Sequence, residues 1–102
     1  MQPIITENRE KIAELCRQHH VRRLSVFGSA VRDDFDPERS DVDFVVEFDP
    51  VKDRPAYEIQ SILKDEIVKL FSRPVDLIRA GTVRNPYIRQ SIEEQQETLY
   101  AA

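Results

Sequence analysis

Asp41 and Asp43 stand one residue apart in the string Asp41-Val42-Asp43, at the mouth of an apolar run. Upstream, separated from Asp41 by eleven residues, a Gly28-Ser29 pair closes another short apolar run. In a β-strand, residues i and i+2 project from one face about 6.5–7 Å apart. Asp41 and Asp43 therefore converge on one small volume. Two carboxylates there repel each other, and a bound cation relieves the repulsion. Magnesium suits such a site, because it takes a few carboxylates and completes its shell with water and substrate phosphates. In two-metal sites the ions lie about 3.5–4 Å apart, a gap that neighbouring carboxylates bridge. The bland alternative is a pair of solvent-facing acids on an edge strand. It is weakened by Val42, Phe44, Val45 and Val46, which make the strand read as buried.

Gly28-Ser29 completes the phosphate side of this chemistry. Where a strand turns into a helix at glycine, the backbone comes close to a phosphate, and the first helical amides and the serine hydroxyl donate to its oxygens. Alone, the pair is as well explained by an ordinary helix start with Ser29 as N-cap. It is neither the long glycine-rich phosphate loop nor the dinucleotide fingerprint. A third acid, Asp76, sits in Val75-Asp76-Leu77-Ile78, an otherwise apolar strand. An unpaired carboxylate in such a setting is costly. It calls for a salt bridge to Arg73 or Arg79, a metal, or a role as a base.

The elements that position these residues follow from periodicity. Residues 6–20 form a first helix with Ile12, Leu15, Cys16 and His19 on one face and Thr6 as N-cap. Arg22 to Phe27 is a strand, followed by a short helix from Gly28 to about Arg32 and a solvated acidic loop, 33–40. Asp41 to Phe48 alternates cleanly as a second strand. Ala56 to Phe71 is a helix with a stripe of Ile59, Ile62, Leu63, Ile67, Leu70 and Phe71. Val75 to Ile78 is a third strand, and residues 85–96 form a last helix with Asn85 as N-cap and Pro86 at its first position. Residues 98–100 make a tail or edge segment. The expectation is an α/β (α+β) chain, with three or four strands and helices mainly on one face. The pattern leaves open whether the strands run parallel or mixed.

Composition bounds the function classes. With 102 residues, the reading is one domain over residues 1–102. No run approaches the ~20 apolar residues that cross a bilayer. The first residues lack a secretory signal, and the single Cys16 cannot form an internal disulfide, so a cytoplasmic location is expected. A net charge of −4 argues against direct nucleic-acid binding, which rests on neutralising phosphates. The charge is uneven: residues 33–53 are acidic, while Arg73, Arg79, Arg84 and Arg89 make the C-terminal part basic. His19, His20 and Cys16 have no zinc-site spacing and are read as structural. Tyr57, Tyr87 and Tyr100 are read as core edges rather than modification sites.

The set Gly28-Ser29, Asp41-Val42-Asp43 and a later strand aspartate, Asp76, resembles the nucleotidyltransferase superfamily of DNA polymerase beta. The fuller string from Phe27-Gly28-Ser29-Ala30-Val31-Arg32 to Ser40-Asp41-Val42-Asp43-Phe44-Val45-Val46 looks like its smallest branch, the minimal nucleotidyltransferases. Two departures lie in the loop. It is one residue longer than is common in this branch, and Asp33 stands where a glycine often follows the arginine. The resemblance implies a small mixed sheet of three or four strands flanked by helices. It implies that Asp41, Asp43 and Asp76 are the metal-binding and catalytic residues, holding magnesium, with two ions expected. It places Gly28, Ser29, Arg32 and Ser40 among the nucleotide-binding positions, with ATP as substrate. It implies as partner a HEPN-domain ribonuclease toxin, of which such proteins are typically the antitoxin, and transfer of AMP to one of that toxin's tyrosines. Two other readings stand beside this: an antitoxin that neutralises its partner by binding alone, and a nucleotidyltransferase with a small-molecule acceptor. The short chain counts against the last of these, because enzymes with small-molecule acceptors generally carry an extra substrate domain.

Overall fold

A computed structural model describes residues 3–28 and 42–102. The chain runs α1 (Pro3–Glu7), α2 (Arg9–Gln18), β1 (Val21–Phe27), β2 (Val42–Phe48), α3 (Ala56–Phe71), β3 (Val75–Arg79), α4 (Pro86–Gln95) and β4 (Glu97–Ala101). The four strands form one sheet in the order β3-β2-β1-β4. β1 is antiparallel to both β2 and β4, whereas β2 and β3 run parallel, so the sheet is mixed. α3 is the crossover that a parallel pair requires.

The alternation along each strand sorts the sheet into two faces. Leu24 and Val26 of β1, Val42, Phe44 and Val46 of β2, and Val75 and Leu77 of β3 are buried. They join Ile5 of α1, Ile12 and Cys16 of α2, and Leu63, Ile67 and Phe71 of α3 in one core. The Phe44 and Phe71 rings stack at its centre with centroids 6.0 Å apart. The opposite face carries Arg23 and Ser25 of β1 with Asp43, Val45 and Glu47 of β2. Helix α4 lies over that second face, where its Ile92 meets Ser25 and Val45 around a shared cavity. Helices thus pack mainly on one face, and the last one crosses to the other.

Several boundaries differ from the sequence expectation. The first helix is two helices. Asn8 divides them: its side-chain amide donates to the Ile4 carbonyl at 2.8 Å and its backbone N–H to Ile5 at 3.2 Å. Asparagine offers the backbone such local alternatives to a continuous helix. Thr6 is no N-cap; it lies inside α1 and donates to the Pro3 carbonyl. α3 has the expected limits, but Ile62 points outward, 39% exposed. α4 starts as expected, with the Asn85 side chain accepting from the Tyr87 and Ile88 amides. The terminal segment is a genuine edge strand, β4, held by β1 and by the Arg23 guanidinium donating to the Thr98 hydroxyl at 3.0 Å. The expected short helix 28–32 and loop 33–40 lie outside the described residues beyond Gly28.

Candidate active site

Three strand ends bring the candidate residues to one edge of the second face. β1 runs out at Phe27, whose register partner on β2 is Asp43. Asp43 is in turn the register partner of Asp76 on β3. In a parallel pair, partners in register project to the same side, and the strands are about 4.8 Å apart. The Asp43 and Asp76 carboxylates therefore stand next to each other on the face that α1, α2 and α3 do not cover. Asp43 is half-buried and Asp76 is exposed.

The exposure of Asp76 corrects one expectation. The burial pattern of β3 keeps Val75 and Leu77 inside and turns Asp76 outward. Asp76 carries no burial penalty to be relieved, and its side chain makes no salt bridge with Arg73 or Arg79 among the described residues. Its polar character follows from pointing into open space beside Asp43.

Gly28 follows β1 with φ +72, in the left-handed region that favours glycine. A Cβ on Gly28 would lie 2.8 Å from Oδ2 of Asp43. The backbone of the expected phosphate-binding turn is thus packed directly against a candidate metal carboxylate, and only glycine leaves that space open. Hard carboxylate oxygens at an open, solvent-facing edge are the donor set that magnesium takes. Asp43 and Asp76 fit that ion, and glycine at position 28 leaves the Asp43 carboxylate the room it occupies. Among the described residues no group of three or more potential metal ligands occurs, so the described part of the site is this carboxylate pair. Asp41, Ser29, Arg32 and Ser40 lie outside the described residues.

Farther along the same face the strands and α4 enclose a cavity of about 470 Å³. Its charged walls include Arg79, Arg84 and Arg89 from the C-terminal basic region, joined by Arg23 of β1. The sequence signals the first three as a basic run. Arg23 joins them only through the strand register, which places it opposite Glu47. The tyrosines correct another expectation. Tyr57 is 70% and Tyr87 82% exposed, so neither edges the core, while Tyr100 is half-buried and does. Cys16 is buried in the core, and His19 is half-buried at the C-terminal end of α2. Burial pushes the Cys16 thiol up to about 12, against a smaller opposing effect of Arg17, and burial lowers His19. No helix among the described residues is long and apolar enough to cross a membrane.

A mixed four-stranded sheet with helical layers, and an aspartate pair beside a Gly turn at one edge, define a nucleotidyltransferase fold. The chain belongs to the nucleotidyltransferase domain family, whose model it matches over residues 9–98. It is an enzyme of nucleotidyl transfer. A Methanocaldococcus jannaschii protein that carries the name of a protein adenylyltransferase is 38% identical over 80 residues, covering 78% of each chain. Among solved structures, a minimal nucleotidyltransferase is similar at a TM-score of 0.74 and 27% identity, over 91% of this chain and 90% of that one. The fold is also shared, at a TM-score of 0.66 and 19% identity, with a structure of the tri-AMPylated Shewanella oneidensis HEPN toxin in complex with its MNT antitoxin. That match covers 95% of this chain and 72% of the other.

Proposed function

We propose that this protein is a magnesium-dependent protein adenylyltransferase, the antitoxin of a HEPN/MNT pair. It moves AMP from ATP to a tyrosine hydroxyl of a HEPN ribonuclease. The observation that carries this reading is the register pairing of Asp43 with Asp76 on an open sheet face, with Gly28 packed against Asp43. The names of the relatives support the protein acceptor, and the shared fold of the MNT antitoxin supports the HEPN partner.

Magnesium held by Asp43 and Asp76, together with Asp41, would neutralise the charge of the triphosphate and of the leaving pyrophosphate. Gly28, with Ser29, receives the terminal phosphates on backbone amides, and Arg32 and Ser40 complete the nucleotide contacts. Asp76 faces solvent and accepts the proton of the arriving hydroxyl. The hydroxyl oxygen then bonds to the α-phosphorus, the bond to the β-phosphate bridging oxygen breaks, and pyrophosphate leaves. Positioning and charge neutralisation supply most of the acceleration in such transfers.

The test mixes the purified protein with magnesium, labelled ATP and the product of the gene adjacent to its own, and follows that product's mass and ribonuclease activity. The expected result is a mass gain in whole AMP units that parallels loss of ribonuclease activity. Complete inhibition with no mass gain would show neutralisation by binding alone and overturn the enzymatic reading.

A further inference from the structure

We infer that the cavity between α4 and the second sheet face holds an acidic polypeptide segment next to the residue that receives AMP. This inference rests on the protein-acceptor reading above and names the chemistry of that acceptor. The cavity lies on the same face as the carboxylate pair. Val45, on its wall, is two residues beyond Asp43 on one strand, hence about 6.5–7 Å away. A polypeptide lying in it presents a neighbouring side chain to Asp43 and Asp76 without crossing the sheet.

Charge selects the occupant. Arg23, Arg79, Arg84 and Arg89 line the cavity, against Glu47 and Glu93. Arg79, Arg84 and Arg89 form no ion pair among the described residues. Arg23 donates only to the neutral Thr98 hydroxyl. Glu47 already has a cation outside the cavity, Arg22, at 3.6 Å. Among the described residues these guanidinium groups have no carboxylate partner, and guanidinium recognises carboxylates with paired, charge-assisted hydrogen bonds. In a protein of net charge −4, such a concentration of arginine marks a local preference rather than a general affinity for polyanions.

Shape and the remaining wall favour a polypeptide over a polyphosphate or a nucleic acid. Glu47 and Glu93 repel an occupant that is negative throughout, but they accept from backbone amides. Val45, Val83 and Ile92 add apolar walls for side-chain stems. The rim is held in place. Arg79 ends β3, and the turn that carries Arg84 is pinned by the Thr82 hydroxyl donating to the Arg79 carbonyl at 2.7 Å. Arg89 stands on α4, whose start is capped by Asn85.

The test uses a fluorescent peptide with one tyrosine flanked by glutamates, titrated with the whole protein in the absence of nucleotide. A lysine-flanked peptide and a single-stranded RNA of equal negative charge are compared. The acidic peptide is expected to bind more tightly than either. Arg89→Gln is expected to weaken it about tenfold, the scale of a lost charge-assisted contact, and Arg79→Gln with Arg89→Gln more than either alone. Arg17→Gln, on the outer surface of α2, serves as the charge control. With magnesium and labelled ATP added, the arginine variants are expected to raise KM for the acidic peptide and leave kcat and KM for ATP unchanged. Peptide binding indifferent to Arg79 and Arg89, tighter binding of the RNA, or a raised KM for ATP would each overturn the assignment. Arginine-dependent binding with no AMP transfer to any acceptor would sustain the peptide site and overturn the enzymatic reading instead.

Discussion

At the scale of single residues, Gly28 carries two constraints at once: a positive φ and the close approach of the Asp43 carboxylate. Gly28→Ala meets both. The left-handed backbone costs an ordinary residue about 1–2 kcal/mol, and the new methyl must push Oδ2 of Asp43 from its place. The expected outcome is a fold destabilised by about that amount in urea melts, with AMP transfer reduced far beyond what the unfolded fraction explains. Transfer at the normal rate would show that the Asp43 position is not tied to catalysis. Asp43→Asn and Asp76→Asn keep the shape and remove charge; each is expected to lower kcat by two orders of magnitude or more. Cys16 gives a prediction of another kind. Its thiol is raised from 9.0 to about 12, so the folded form stays protonated where the unfolded chain ionises. The unfolded state then binds fewer protons, and stability falls as pH climbs from 9.0 toward about 12. Alkylation by iodoacetamide at pH 8 is expected only after denaturation; rapid labelling of the native protein would contradict the burial. Residue type and spacing marked Gly28, Asp43 and Asp76 as candidates, each with a bland alternative. The register of Asp43 with Asp76 and the packing of Gly28 against Asp43 were not legible, because they depend on strand pairing between distant segments. Nor was the exposure of Tyr57 and Tyr87, because an aromatic next to an apolar stripe reads as core until the helix is docked.

At the scale of elements, legibility follows the strength of the pattern. α3 has sixteen residues and a broad apolar stripe, and its limits are those its sequence predicts. β4 has five residues with only Leu99 buried, and its existence depends on the free edge of β1, which no local signal reports. The break at Asn8 is invisible for a similar reason: the apolar face of the expected helix begins only at Ile12, and a side-chain hydrogen bond from Asn8 back to Ile4 decides the matter. α4 combines both cases. Its cap is plain in Asn85-Pro86, but its placement over the second face depends on a sheet formed by residues far away in sequence. Asn85→Ala removes the acceptor for two helix amides and is expected to cost about 1 kcal/mol, read as a lowered urea midpoint. Because α4 walls the cavity, the same variant is expected to weaken acidic-peptide binding while leaving magnesium and ATP binding intact. If nucleotide binding fell in parallel, α4 would belong to the nucleotide site.

At the scale of the whole molecule, the sheet divides the labour between its faces. One is closed by α1, α2 and α3 into the core; the other carries the Asp43–Asp76 pair at one end and, farther along, the arginine-lined cavity beneath α4. Core substitutions therefore change stability apart from function, whereas Gly28→Ala and Asn85→Ala, where the fold meets the site, touch both. Leu63→Ala, in the core, is expected to cost about 2–5 kcal/mol without altering KM for ATP in the folded fraction. A ligand that binds only the native state acts in the opposite direction. Magnesium with ATP at a hundredfold excess over Kd stabilises by roughly 2.7 kcal/mol, and each kcal/mol raises the melting temperature of a domain this size by ~4–8 °C. The melting temperature is therefore expected to rise by well over five degrees with magnesium and ATP together. The rise should collapse on adding EDTA and be largely absent in Asp43→Asn, measured against that variant's own melting temperature without ligand. A full rise in EDTA would mean that nucleotide is held without the metal, and that the carboxylate pair has another task. A full rise in Asp43→Asn that EDTA still abolishes would place the metal on other ligands, which turns the question to Asp41 and Asp76.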